Sequence, residues 1–421
     1  MPGLKGKFGV LREPNYRRLF AGRTISLIGD GIAPVAIAFA ILDLTGSATD
    51  LGIVLAAHSV LITALVLVGG VWADRISPRV AMLRADLVRM LAMGAIAVLL
   101  ISGAAEIWQL AILYAIEGAA TAFFNPASNA IVPSVVSGPR LQEANALLNV
   151  SRSAGHFVGP ALAGVLLAIG TPGWAIAVDA LSFGASAFFL ARMQAPRPRP
   201  SAEPSFLAEL RHGWREFTSQ RWLWPIVLSG MISNAVFMPV ILVLGPAVAD
   251  ASLGGSSAWA LIAAGLGLGS LIGGAVALGI RPRRPLLVGE GFLLLFAAPI
   301  ALLAIPTAAV AIAAATLVAG LTLAVAEILY ETVTAERVPP ESLSRVLAYD
   351  WFGSLALEPL GLVLVGPIAA GIGTSTTLWI SAGVIFACQA AVICVPAVRR
   401  LESRGGEPPT PLPLRPIEPG D

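Results

Sequence analysis

Apolar residues in this chain run nearly unbroken for about 20 positions at a time. Marking the runs, and the Pro, Gly and charged residues that interrupt them, gives twelve segments at 20–43, 51–73, 80–102, 107–125, 143–169, 174–193, 223–249, 258–280, 286–304, 308–334, 346–371 and 377–398. A helix needs about 20 residues to cross the hydrocarbon core of a bilayer. Lipid offers a backbone no hydrogen bonds, so helices, which satisfy their own, are the natural spanning element. The pattern therefore predicts an all-α membrane protein with twelve transmembrane helices. The segments at 308–334 and 346–371 are interrupted by acids and glycines and are the least regular.

Charge fixes the orientation. With both termini cytoplasmic, Lys5 to Arg18, Arg75 and Arg79, Arg140, Arg197 to Arg221, Arg281 to Arg284, Arg337 and Arg399 to Arg415 all fall on inner segments. The remainder (Arg23, Arg84, Arg89, Arg152, Arg192 and Arg345) are assigned to cytoplasmic ends of spans, leaving none of the 27 Lys and Arg for outer loops, as the positive-inside rule requires. The basic start followed by an apolar run imitates a signal peptide, but the run is too long and lacks a small-residue cleavage site, so it reads as a retained first span.

A polar stretch at 194–222 divides the chain into a first six-span unit (1–193) and a second (223–398), with a Pro-rich tail at 399–421 expected to be disordered. The linker places Phe206, Leu207, Leu210, Trp214 and Phe217 at helical spacing beside Arg211 and Arg215, which predicts an amphipathic helix on the membrane surface. The units echo each other. An offset of 204 places Gly69-Gly70 on Gly273-Gly274, Pro78-Arg79 on Pro282-Arg283 and Asp86 on Glu290; an offset of 202 places Leu141, Gly159 and Gly164 on Leu343, Gly361 and Gly366.

Composition agrees: 57% of the 421 residues are hydrophobic and 12% charged, against roughly 25% charged in soluble domains, which argues against a soluble enzyme. A net charge of +2 gives no case for nucleic-acid binding. Cys388 and Cys394 suggest neither a disulfide framework nor a metal site, and no cofactor is implied. Gly265, Gly267, Gly269, Gly273 and Gly274 imitate a dinucleotide fingerprint but lie within an apolar run, and read as packing glycines. No phosphate loop, His-Glu-x-x-His or Gly-x-Ser-x-Gly is present, which weighs against an ATP-driven pump and common membrane hydrolases.

Three segments carry a family resemblance. Gly70-Val71-Trp72-Ala73-Asp74-Arg75-Ile76-Ser77-Pro78-Arg79, between spans 2 and 3, is similar to the loop signature G-x-x-x-D-[RK]-x-G-[RK]-[RK] of the major facilitator superfamily, with Ser77 and Pro78 departing from it. Gly155-His156-Phe157-Val158-Gly159-Pro160-Ala161-Leu162-Ala163-Gly164 resembles the Gly-Pro motif of the family's exporters. Tyr114-Ala115-Ile116-Glu117-Gly118 occupies the place of a motif that usually begins with arginine. Arg12 to Phe20, Ser26 to Gly31, Phe124 to Ala127 and Glu143 to Leu147 resemble the branch holding enterobactin exporters and macrolide efflux pumps.

The resemblance implies two pseudo-symmetric six-helix bundles, a cytoplasmic gate at Gly70, Asp74, Arg75 and Arg79 joined by Glu331, and packing of the two halves through Gly155, Gly159, Pro160 and Gly164. The alternative for the loop is a charged turn that only sets topology. The second half has Leu278 and Gly279 in place of Asp74 and Arg75, so its copy of the gate is weakened.

Ionisable groups within apolar spans cost about 2.5–3.5 kcal/mol each at a helix centre and are functional by default. They are Asp30, His58, Glu117, His156, Asp179, Glu327, Glu331, Asp350 and Glu358. In the family's fold spans 1, 4, 7 and 10 line a central cavity, which makes Asp30, Glu117, Phe123, Phe124, Asn234, Phe237, Glu327 and Tyr330 the substrate-cavity candidates. Asp30, Glu117, His156 and Glu358 are the proton-coupling candidates. His156 and Glu358 occupy equivalent positions in the halves and are expected either to bond to each other or to relay protons. Asp179 and His58 read as local helix contacts.

Four acids against Arg23 alone in the cavity-lining spans predict a cationic or neutral substrate. The expected function is export of a small amphipathic molecule, drug-like or siderophore-like, by proton antiport and alternating access. The alternatives are an importer, a sensor or assembly protein without transport, and a polytopic membrane enzyme, which the paired halves and gate loop argue against. Expected partners are the small-molecule substrate, protons and the lipid bilayer, with no nucleic acid; a monomer in the inner (plasma) membrane, multi-pass, is the expected state.

Overall fold

The computed structural model describes residues 9–75, 77–137, 140–194, 214–277, 279–305, 308–338 and 340–403, with the side chains at 66–75, 142, 340–345 and 348 left aside. Among the described residues twelve helices are long and apolar enough to cross a membrane. They are α1 (Pro14–Thr45), α2 (Ala48–Arg75), α3 (Pro78–Ser102), α4 (Ile107–Val135), α5 (Leu141–Ile169) and α6 (Pro172–Ala191). After the linker come α7 (Leu223–Leu253), α8 (Ser256–Ala277), α9 (Pro285–Ala304), α10 (Ala309–Arg337), α11 in two pieces, α11a (Pro340–Leu355) and α11b (Glu358–Ile372), and α12 (Thr374–Cys394).

The expected count of twelve holds, and the boundaries move for physical reasons. Helix α4 continues through Pro126 and Pro133 to Val135, ten residues past the end read from the sequence. A proline removes one backbone hydrogen bond, which a helix packed on neighbours tolerates. Helix α10 is continuous despite its acids, whereas α11 breaks at Ala356-Leu357, leaving Glu358 in the first turn of α11b. Helix α7 holds π-helical turns at Val240–Leu244 and Ala249–Leu253.

Helices α1 to α6 pack on one another, α1 against α5 and α6, α3 against α4 and α6, and α2 against α4. Helices α7 to α12 do likewise, with α8 on α10 and α7 on both pieces of α11 and on α12. The two groups meet along α5 with α8 and α2 with α11b.

The glycines paired by the offset of 202 make equivalent contacts. A Cβ on Gly159 would strike Gly31 of α1 at 2.5 Å, and one on Gly361 would strike the Ala235 carbonyl of α7. Gly164 abuts Ala260 across the seam, as Gly366 abuts Thr49. Gly155 and Gly159 thus pack on α1 within their own half, and of the expected inter-half glycines it is Gly164 that crosses to the other. Pro160 sits within an unbroken α5.

The seam lies mainly away from the chain termini. Thr49 with Gly366, Gly52 with Leu362 and Gly164 with Ala260 are at that far end, and His156 with Gly267 and Ser59 with Glu358 mark mid-depth. Toward the termini, Arg152 and His156 on α5 and Glu327 and Glu331 on α10 are exposed.

The described end of the linker rests against the second bundle. Trp214 and Phe217 pack edge-on against Trp224 of α7, with Trp214 also against Tyr349 of α11a, and Phe217 is buried. Trp214 itself stays 46% exposed. Phe206, Leu207 and Leu210, and the tail from 404, lie outside the described residues.

Candidate functional site

Helix α3 positions one guanidinium where three helices converge. Arg89 is the twelfth residue of 25 in α3, and is 3% exposed. Its Nη2 donates to Asp30 Oδ1 of α1 at 2.5 Å, its Nε donates to Glu117 Oε1 of α4 at 2.8 Å, and its Nη1 lies 3.5 Å from Asp86 Oδ1 one turn away. The same group sits 3.8 Å over the Phe183 ring. A planar fork that can address two carboxylates while stacking on an aromatic ring is a use to which arginine is suited and lysine is not.

Glu117 is engaged on both oxygens. Thr121 Oγ1 donates to Oε1 at 2.8 Å, and His58 Nε2 of α2 lies 2.7 Å from Oε2. Gly118 makes this approach feasible, since a Cβ there would meet the His58 carbonyl at 2.5 Å. The imidazole stacks on Tyr114 with centroids 4.2 Å apart. Asp179 is fully buried beside Gly29 and Ser182, within electrostatic reach of Asp30. His58 and Asp179, read from the sequence as local contacts, therefore belong to the surroundings of one cluster.

From that cluster a link crosses to the other half. Ser59, next to His58, donates from Oγ to Glu358 Oε1 at 3.2 Å, and His58 is within electrostatic reach of the same carboxylate. The expected bond between His156 and Glu358 is not formed. Helix α5 packs on α8, so His156 meets Gly267 while Glu358 faces α2.

Other candidates are placed differently from expectation. Phe124 is fully buried, and its ring carries Arg23 at 4.7 Å and Arg89 at 5.2 Å. It belongs to the core, as does Phe237, whose ring centroid is 4.9 Å from that of Phe296. Asn234 Nδ2 donates to the Ser354 carbonyl at 3.1 Å, tying α7 to the end of α11a. Tyr330 packs edge-on against Trp222, and Asp350 is buried.

Arg79, expected at the gate, donates from Nε to the Leu190 carbonyl at 2.7 Å and from Nη2 to the Ala191 carbonyl at 2.6 Å. It caps the C-terminus of α6, where the helix dipole favours a cation. The side chains of Gly70, Asp74 and Arg75 lie outside the described residues. Glu327 and Glu331 remain exposed one turn apart, and Phe123 is half-buried.

Sequence reasoning missed Arg89, which was assigned to the end of its span. The signal was available: Asp86 and Arg89 are one turn apart and mid-helix. The four free acids of the charge argument are therefore reduced to two, because Asp30 and Glu117 are bonded to Arg89.

Comparison with known proteins follows the same lines. The Major Facilitator Superfamily profile matches residues 19–354. Macrolide efflux protein A of Streptococcus pyogenes is 25% identical over 400 residues, covering 92% of this chain and 97% of that protein. The multidrug efflux pump Tap of Mycobacterium tuberculosis is 27% identical over 406 residues, covering 93% and 95%. Among solved structures, a peptide transporter POT in complex with sulfate aligns with a TM-score of 0.74 at 12% identity, over 92% of this chain and 95% of that one, a likeness of fold.

Proposed function

The chain belongs to the Major Facilitator Superfamily and is a secondary transporter, not an enzyme; we propose that it exports small amphipathic molecules from the cytoplasm in exchange for protons. The observation that carries this reading is the Arg89 hub, which gathers Asp30 and Glu117 from two helices of the first bundle with Asp86 and Asp179 around them.

Four carboxyls, three of them buried, lie around two guanidinium groups, Arg89 and Arg23, and one imidazole. A surplus of buried negative charge is costly, and a bound proton offsets it. Such a cluster takes up a proton when the counter-charges move away and releases it when they return. Asp30 is the open member, with 31% of its side chain exposed against 7% for Glu117. Asp30 is therefore the entry point for the proton, and Glu117 the residue that fixes Arg89 and His58.

Coupling also needs a route from the cluster to the rocking of the halves. Adjacent residues of α2 supply it, since His58 meets Glu117 and Ser59 meets Glu358 at the break in α11. A protonation change at one end alters the charge facing the other. The seam away from the described chain ends, Gly9 and Ser403, is closed, and those two ends lie on the basic face that the positive-inside rule assigns to the cytoplasm. That arrangement suits loading from the cytoplasm. The exporter direction draws further support from the two efflux relatives, and the bacterial plasma membrane is the expected setting.

The test is accumulation of an amphipathic dye in everted and right-side-out vesicles under an imposed pH gradient. Export predicts gradient-dependent accumulation in everted vesicles made acid inside, and none in right-side-out ones made acid outside. The reverse pattern would establish import.

A further inference from the structure

Helices α3 and α6 run antiparallel and touch at three levels. A Cβ on Gly173 would meet Ile101 Cγ1 at 2.7 Å, one on Gly184 would meet Met90 Sδ at 2.9 Å, and the Arg79 guanidinium bonds to the Leu190 and Ala191 carbonyls. These contacts fix the register. Arg84, between Arg79 and Met90 on α3, stands level with the last turn of α6, where Arg192 follows Ala191.

Both arginines stand on the outer face of the pair. Each residue advances about 100° around a helix. On α6 the exposed Leu181, Phe188 and Arg192 therefore share one face, beside the Gly184 contact; on α3 the exposed Arg84, Leu87 and Leu91 share one beside Met90. The exposed face lies on the same rotational side of the contact in each helix, which for antiparallel neighbours is the same side of the pair. Leu91 is 67% exposed, Leu181 71% and Phe188 53%, and in a membrane-spanning bundle such residues meet lipid. The two faces form an apolar groove with an arginine on each wall at its cytoplasmic end.

Neither arginine has a carboxylate of its own. The Arg192 guanidinium rests 4.6 Å over the Phe188 ring, and neither it nor that of Arg84 makes a hydrogen bond or ion pair with any described residue. Asp86, the one acid of α3, is fully buried about 160° round the helix from Arg84 and lies beside Arg89. Asp179, the one acid of α6, is fully buried against Gly29 of α1. An arginine on a lipid face extends its charged end toward the headgroups while its stem stays in the hydrocarbon.

We propose that the groove between α3 and α6 binds an anionic phospholipid. Arg84 and Arg192 hold the headgroup phosphate, and an acyl chain lies along Leu87, Leu91, Leu181 and Phe188. Two guanidinium forks suit the several oxygens of a phosphate. A zwitterionic headgroup fits less well, because its ammonium group is repelled by the same pair. Helix α3 carries Arg89 and α6 carries the Phe183 ring beneath it, so a lipid bridging these helices braces the buried hub from outside. The site depends on neither the exported molecule nor the proton.

The test is native mass spectrometry of the purified full-length protein titrated with dioleoyl phosphatidylglycerol (anionic) or dioleoyl phosphatidylcholine (zwitterionic), which differ in headgroup and not in acyl chains. The first phosphatidylglycerol should bind about twentyfold tighter than the first phosphatidylcholine. Arg84→Gln and Arg192→Gln should each weaken phosphatidylglycerol about fivefold, the effect of ~1 kcal/mol per arginine toward an anionic lipid, and leave phosphatidylcholine unchanged. The pair Arg283→Gln and Arg284→Gln, in the inner turn before α9, should keep the full preference. Thermal unfolding in detergent is the second readout: phosphatidylglycerol should protect the wild type more than phosphatidylcholine does, and protect the Arg84→Gln, Arg192→Gln double variant no more. Equal affinity for the two lipids, an undiminished preference in the double variant, or an equal loss in the Arg283 and Arg284 pair would overturn the proposal. Each of those results can occur with proton-driven dye export intact.

Discussion

Ser59 of α2 donates to Glu358 of α11b at 3.2 Å, joining the two halves at the point where α11 breaks. The preceding residue, His58, lies about 100° round the helix and bonds into the carboxylate cluster through Glu117. Two consecutive residues of one helix therefore serve different halves. That adjacency is the physical basis for coupling a proton site to a rocking motion, and it yields a first expectation.

Ser59→Ala removes one hydrogen bond across the seam, a loss of about 1 kcal/mol. The end of the seam away from the termini should open more often. In a background with Cys388 and Cys394 replaced by Ser, labelling of Ala48→Cys by a membrane-impermeant maleimide should rise about fivefold, the population change that such a loss implies. An unchanged rate would show that the Ser59 bond does not bias the seam.

Arg89→Gln leaves Asp30 and Glu117 without their shared cation. Breaking a buried pair by removing one partner costs about 3–5 kcal/mol. Thermal unfolding in detergent should report a marked fall in stability, and Asp30→Asn added to Arg89→Gln should restore part of it by removing one stranded charge. A fully stable single variant would contradict the hub.

Glycine substitutions separate packing positions from free ones. Gly159→Ala places a Cβ 2.5 Å from Gly31 and should lower the yield of monodisperse protein, whereas Gly94→Ala meets nothing within 4 Å. Mid-helix Gly94→Ala should stabilise α3 by up to ~1 kcal/mol. Size-exclusion profiles of the two variants give the comparison directly.

The sequence disclosed depth well and azimuth poorly. Run length located the twelve spans, and the offset of 202 paired Gly159 with Gly361 and Gly164 with Gly366, which make equivalent contacts, because both are properties of one helix at a time. Asp30 and Glu117 stood out because an acid in an apolar run is conspicuous wherever it points. Their partners did not. Arg89 looks like a topology residue until α1, α3 and α4 are brought together, and Ser59 is an ordinary hydroxyl until α11b lies beside it. Phe124 and Phe237 faced the core for the same reason, since their spans were identified but the rotation of those helices was not.

The account's central claim is that the Arg89 cluster exchanges protons through Asp30, and one comparison tests it most directly. Wild type and Asp30→Asn are reconstituted into liposomes with the first amphipathic dye that wild-type vesicles concentrate, and each is assayed for pH-gradient-driven accumulation and for gradient-free dye exchange. The account predicts that Asp30→Asn accumulates no more dye than protein-free liposomes while its exchange persists, which certifies a folded carrier. Accumulation at the wild-type level in that variant would contradict it.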